Sequence, residues 1–142
     1  MRQLCYVSHA KAVQPQLLED LREILSEARN FNHEHNVHGV LYFADGQFFQ
    51  CLEGDERTIV RLVEKLKKDQ RHDHCKFFDL KVIEQPLFSD WSMKYVSRHG
   101  EIQKFFAEQG FEKFDPMQLT QKQMDQLLLL LKKLNSKETE LL

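Results

Sequence analysis

The chain has 142 residues, 42% hydrophobic and 11% aromatic, with 5 Gly and 3 Pro. That is room for one packed core and a short extension, and it excludes collagen-like, linker-like and largely disordered chains. Twenty basic against 22 acidic residues give a formal charge of −2, so no uniform positive field exists to hold nucleic acid or an anionic membrane, and partner recognition must be local.

The longest leucine run, residues 127–131, is far short of a bilayer span, and Met1-Arg2-Gln3-Leu4 is no signal-peptide start. A cytoplasmic protein is the expectation. Cys5, Cys51 and Cys75 are odd in number and widely spaced, which fits packed thiols better than a disulfide framework.

In chain order, residues 2–8 (RQLCYVS) form a strand-like run. Pro15 then opens a helix over 16–30, with Leu17, Leu18, Leu21, Ile24, Leu25 and Ala28 at helical spacing. Residues 37–43 and 47–53 are two apolar runs joined by Ala44-Asp45-Gly46, a hairpin link that makes them antiparallel neighbours. Asp55 caps a second helix running to about Asp69, whose buried stripe is Ile59, Leu62, Val63 and Leu66. After a charged break at 67–74, residues 76–85 read as a strand, and residues 91–97 as a fifth after a turn at Pro86. The order β-α-β-β-α-β-β predicts an α+β, ferredoxin-like sandwich with two helices on one sheet face.

The other face needs a cover, because alternation sets Phe49 and Cys51 opposite Phe48, Gln50 and Leu52. A helix starting at Asp115-Pro116, with Met117, Met124, Leu127, Leu128, Leu131 and Leu134 as its stripe, is the candidate. A shorter helix around Ile102, Phe105 and Phe106, broken near Gly110, precedes it. This C-terminal segment is predicted to pack on the second sheet face or on another subunit. The division is therefore a domain at 1–96 and a helical extension at 97–142.

The oddity on the third strand is Gln50, a carboxamide on the core-facing side with Phe48 and Leu52. Left unpaired it costs on the order of 1–3 kcal/mol, so it needs a partner. On the first strand Tyr6 shares a face with Leu4 and Ser8, and its phenol also needs a hydrogen bond. The two can satisfy each other, either as a plain staple between strands or as part of a site. Asn32, placed just beyond the first helix, reads alone as a helix terminator. Its amide can also donate and accept together, as a planar heterocycle bearing a carbonyl beside an N–H requires.

The segments LCYVS at 4–8, ARNFN at 28–32, VHGVLY at 37–42, GQFFQCLEG at 46–54, DQRH at 69–72 and WSM at 91–93 together resemble a BLUF domain, the blue-light sensor that uses FAD. The resemblance spans residues 2 to about 96. It implies a flavin bound without covalent attachment between the two helices: FAD, with FMN or riboflavin as alternatives. Tyr6 stands at the photoactive tyrosine, Gln50 at the glutamine that bridges it to the flavin, and Asn32 at the asparagine that pairs with the ring. Lys65, Asp69, Arg71 and Ile24 complete the implied cofactor contacts. Two departures stand out. Lys65 replaces the Arg of some relatives and loses the bidentate fork, and Phe31 takes a position that is polar in several relatives, which implies weaker binding.

The implied activity is a reversible electron and proton transfer from Tyr6, after which Gln50 rearranges its hydrogen bonds and the absorption reddens slightly. Output is implied to run through the fifth strand, where Trp91 and Met93 would share a face and exchange places, to the C-terminal helices and a downstream regulatory protein, or between subunits. No enzymatic activity, direct nucleic-acid contact or membrane association is expected. The histidines at 33, 35 and 38, and His72, His74 and Cys75, are too loosely spaced for a metal centre. Ser8-His9 lacks the carboxylate of a triad, and Glu53-Gly54 reads as a strand stop. The competing reading is a light-insensitive ferredoxin-like ligand-binding module or small enzyme using the same cleft; a structural adaptor working through its C-terminal helix is a third.

Overall fold

Residues 1–134 are described by the computed structural model; positions 135–142 of the predicted extension lie outside it. Strand β1 (Arg2–Ala10) is followed by helix α1 (Gln16–Glu34), strands β2 (His38–Ala44) and β3 (Gln47–Gly54), and helix α2 (Glu56–Lys67). Strands β4 (His72–Phe77), β5 (Lys81–Val82) and β6 (Lys94–Val96) come next, then helices α3 (Gly100–Glu108) and α4 (Gln121–Lys133). One mixed sheet runs β4-β1-β3-β2-β6, with β5 also on β1, and only β6 against β2 is parallel. The fold is the α+β, ferredoxin-like sandwich expected.

The β2–β3 hairpin turns on Asp45 and Gly46, whose φ of 53° and 76° are the two positive angles of a type I′ turn. Gly39 is fixed by crowding, since a Cβ there would lie 2.2 Å from the Cys51 carbonyl oxygen on β3. Across β1 and β3 the register sets Tyr6 opposite Gln50 and Cys5 opposite Cys51. The Cys5 carbonyl accepts from Phe78 N–H on the far side of β1. Its backbone therefore points away from β3, so Cys5 and Cys51 are a close, non-hydrogen-bonded pair while Tyr6 and Gln50 exchange backbone bonds.

Alternation then sorts the core into two layers. Leu4, Tyr6, Phe48, Leu52 and Met93 face Leu21 and Leu25 of α1 and Ile59 of α2. On the opposite face Val7, Tyr42, Phe49 and Cys51 meet Ile102 and Phe106 of α3 and Met124, Leu127 and Leu131 of α4. The second sheet face is thus covered within the chain. Polar side chains of the sheet also reach across: Gln47 donates to Phe114 O at 2.9 Å, and Lys81 pairs with Asp125 at 3.1 Å.

Several boundaries depart from the periodicity. Helix α1 continues past Asn30 for another turn, so Asn32 lies inside it rather than beyond its end. The break expected at 67–74 already contains the start of β4, because His72 turns inward to a partner on β1. The single strand expected over 76–85 divides into β4 and β5, and only residues 94–96 of the expected fifth strand pair with the sheet. At the C-terminal helix Pro116 starts a single 3₁₀ turn; α4 begins later, under a capping box in which Thr120 and Gln123 each satisfy the other's backbone N–H.

Glu53 is more than a strand stop. Fully buried, its carboxylate accepts from Gln3 Nε2 at 2.9 Å, Leu87 N–H at 2.9 Å and Phe88 N–H at 2.8 Å, which ties the irregular segment before β6 to the sheet. Glu53→Ala leaves these donors unpaired in the interior, and urea unfolding is expected to show a loss of about 3 kcal/mol or more; a loss below about 1 kcal/mol would contradict the arrangement. Truncation after Val96 uncovers Phe49, Cys51 and Tyr42, and size-exclusion chromatography is expected to show aggregation. A monodisperse monomer from that truncation would refute the covering role of α3 and α4.

Candidate functional site

The facing positions of Tyr6 and Gln50 bring a phenol and a primary amide together beneath the two N-terminal helices, each 3% exposed. The Tyr6 hydroxyl donates to Gln50 Oε1. Burial, with smaller contributions from nearby Cys75 and Asp69, pushes the Tyr6 pKa far above its ordinary value, so the phenol keeps its proton throughout the physiological range. Phe77 packs on its ring at 5.3 Å between centroids, and His72 stands edge-on at 6.2 Å. His72 in turn spans Ser8 Oγ and the Leu66 carbonyl, both at 2.7 Å. With Nε2–H donated to that carbonyl, Nδ1 accepts from the serine hydroxyl.

The other end of the Gln50 amide has a weaker partner, Met93 Sδ at 3.8 Å from Nε2. A thioether is a poor acceptor, so this N–H end is the one a ligand carbonyl can recruit. Gln50 opens into a cleft between α1 and α2. Ile24, Ala28, Leu62 and Leu66 supply apolar walls, and the Asn32 and Gln50 amides supply polar groups. Apolar walls for a flat ring system, with amides able to meet its carbonyl and N–H groups, fit a flavin.

Lys65, Asp69 and Arg71 stand on the same cleft, with Glu27 opposite on α1. Arg71 Nη2 lies 2.7 Å from both Asp69 Oδ2 and Glu27 Oε2. The guanidinium holds the Asp69 carboxyl below its usual pKa, while its own rises. The Lys65 ammonium sits over the Phe31 ring, 5.3 Å from its centroid.

Asn32 is 1% exposed and donates through Nδ2 to the Ser92 carbonyl at 2.7 Å. It therefore joins the cleft to the segment before β6 as well as lining it. Arg29 Nε donates to the Met93 carbonyl at 3.1 Å, and His38 Nδ1 lies 3.2 Å from the Trp91 carbonyl. Consecutive carbonyls at 91, 92 and 93 are thus held by side chains instead of a neighbouring strand, and the chain bends there. In consequence Trp91 and Met93 do not share a face. Met93 points to Gln50, whereas Trp91 packs in the opposite layer, 6.3 Å from Phe88 between ring centroids.

Of the side chains singled out by sequence, Ile24, Asn32, Gln50, Lys65, Asp69 and Arg71 line one cleft, Tyr6 and Met93 flank Gln50, and Trp91 lies apart. Glu27 escaped notice, Arg29 was given no role, and His72 and His38 were weighed only for a metal centre. Two left a signal: Ser8, inward-facing beside Tyr6, needed a polar partner, and Arg29 stands one helical turn before Asn32.

Comparison with known proteins agrees with this geometry. Residues 1–94 match the family described as BLUF, sensors of blue-light using FAD. BlsA in its ground state is 43% identical and superposes with a TM-score of 0.91 over 96% of this chain and 90% of that one. The blue light- and temperature-regulated antirepressor BluF of Escherichia coli strain K12 is 33% identical over 69 residues, 49% of this chain and 17% of that protein. Photoactivated adenylate cyclase subunit beta of Euglena gracilis is 28% identical over 91 residues, 63% of this chain and 10% of the cyclase subunit. The chain thus spans between a tenth and a fifth of these two curated relatives. With a match running from β1 to the residue after Met93, on a closely similar fold, the chain belongs to the BLUF family, the sensors of blue light that use FAD.

Proposed function

We propose that Tyr6 and Gln50 are the photoactive pair of this sensor, that the cleft between α1 and α2 holds FAD, with FMN or riboflavin as alternatives, and that the rearranged Gln50 signals through Met93 and β6. One observation carries the reading: Gln50 lines the cleft while Tyr6 donates to one end of its amide and the other end is held only weakly by Met93.

A bound flavin supplies absorption of blue light and, once excited, a strong one-electron oxidant. Tyr6 is the residue that gives up an electron and a proton and then takes both back. Its raised pKa keeps the proton on the oxygen until the electron leaves, and the hydrogen bond already aims that proton at Gln50 Oε1. Gln50 has chemically opposite ends, so rotation or tautomerisation changes what it offers to both neighbours. Asn32 orients the ring and, through Ser92, registers it against the bend at 91–93. Lys65, Asp69 and Arg71 act at the mouth, and Ile24 forms part of the wall.

The division at residues 96 and 97 becomes functional in this proposal, with α3 and α4 as the reporting layer. Among the described residues no helix is long and apolar enough to cross a membrane. The partner is a regulatory protein or a second copy of this chain; that one relative is an antirepressor and another a cyclase subunit supports output through a protein.

Purified, FAD-loaded protein is expected to show a small, reversible red shift on blue illumination. Tyr6→Phe and Gln50→Leu should bind flavin and show no such shift, and a full photocycle in either variant would end the assignment. Asn32→Ala removes a buried hydrogen-bonding amide, and flavin titration is expected to give roughly tenfold weaker binding; unchanged affinity would remove Asn32 from the site.

A further inference from the structure

Lys94, 2% exposed, is the one lysine or arginine buried among the described residues. Its Nζ donates to the Lys132 carbonyl at 2.7 Å and lies 4.4 Å from the centroid of the Trp91 ring. Burial pulls the ammonium pKa down, a sign that the charge is held there against its own solvation. Methionine would fill the same space without that penalty, so packing gives no reason for a charged group at this position. What the ammonium adds is a cap. The Lys132 carbonyl belongs to the last turn of α4, whose carbonyls lack partners within the helix and carry the negative end of its dipole.

The cap comes from a residue covalently joined to Met93, and Met93 is the partner of the Gln50 amide. The geometry points to Lys94 as the positioning residue that couples the hydrogen-bonding state of Gln50 to the C-terminal end of α4, an inference that rests on the proposed role of Gln50. When Gln50 exchanges partners, Met93 loses or gains a contact and the backbone of residues 93 and 94 moves with it. A 2.7 Å hydrogen bond does not survive an ångström-scale displacement, so the cap is made in one state of Gln50 and released in the other. Coupling is reciprocal: a group that senses the state of Gln50 also biases it.

The test uses the full FAD-loaded chain, in the dark and under blue light, with amide hydrogen exchange over residues 128–133 and recovery of the red shift as readouts. Wild-type protein is expected to exchange at least about threefold faster in the light over this segment. In Lys94→Met the light–dark difference should vanish, and recovery at the flavin band should change by at least about threefold. A merely structural role at the end of α4 would leave recovery untouched. Lys94→Arg, which keeps charge and donor, should restore both readouts. Should Lys94→Met fail to fold, Lys94→Leu is read in the same way. A red shift with an unresponsive α4, or wild-type recovery in Lys94→Met, overturns the coupling and leaves the Gln50 reading standing. Absence of any red shift in the wild type overturns both.

Discussion

A phenol and a carboxamide bound to each other in the middle of a sheet set the terms for the rest of this molecule. Because Tyr6 and Gln50 occupy a hydrogen-bonded pair of β1 and β3, the backbone beneath both is fixed on each strand. Of the pair, Gln50 is the member whose side chain lines the cleft. Its Oε1 has a strong partner in Tyr6 and its Nε2 a weak one in Met93, so the site combines a rigid frame with one adjustable group.

The frame is rigid because both faces of the sheet are buried. Helices α1 and α2 cover one side and shape the cleft, while α3 and α4 cover the other and bring Phe106, Met124 and Leu127 against Phe49 and Cys51. A strand covered on both faces has no solvent into which to relax. A disturbance at Gln50 must therefore pass along the sheet or through the bend at 91–93. That bend is anchored by Asn32, Arg29 and His38 on one side and, through Leu87 and Phe88, by Glu53 on the other.

Much of this was legible in the sequence. Alternation along GQFFQCLEG placed Gln50 inward and called for a second covering layer, and the leucine spacing after Pro116 identified that layer. Unpaired inward polar groups led from Tyr6 to Gln50. The misreadings at residues 91–97 and at Glu53 share one physical cause: side-chain-to-backbone bonds that override local periodicity. Residues 91–97 have the composition of a strand, but their first carbonyls are taken by distant side chains, so Trp91 and Met93 part. Glu53 looked like a terminator because its partners, the amides of Leu87 and Phe88, lie 34 and 35 residues away. Lys94 drew no reading from the sequence because nothing nearby in it announces the end of α4.

The parallel pairing of β6 with β2 restricts what kinds of displacement this fold can tolerate. Tyr95 faces the cleft layer and Val96 the opposite one, and an advance by a single residue would invert every side chain of so short a strand. Such an inversion would put an ammonium among leucines and a tyrosine hydroxyl beneath α4. Parity thus forbids the smallest lattice step, leaving sub-residue adjustments taken up by the kinked peptide units just ahead of the strand, and this edge of the sheet behaves as a hinge and not as a rail.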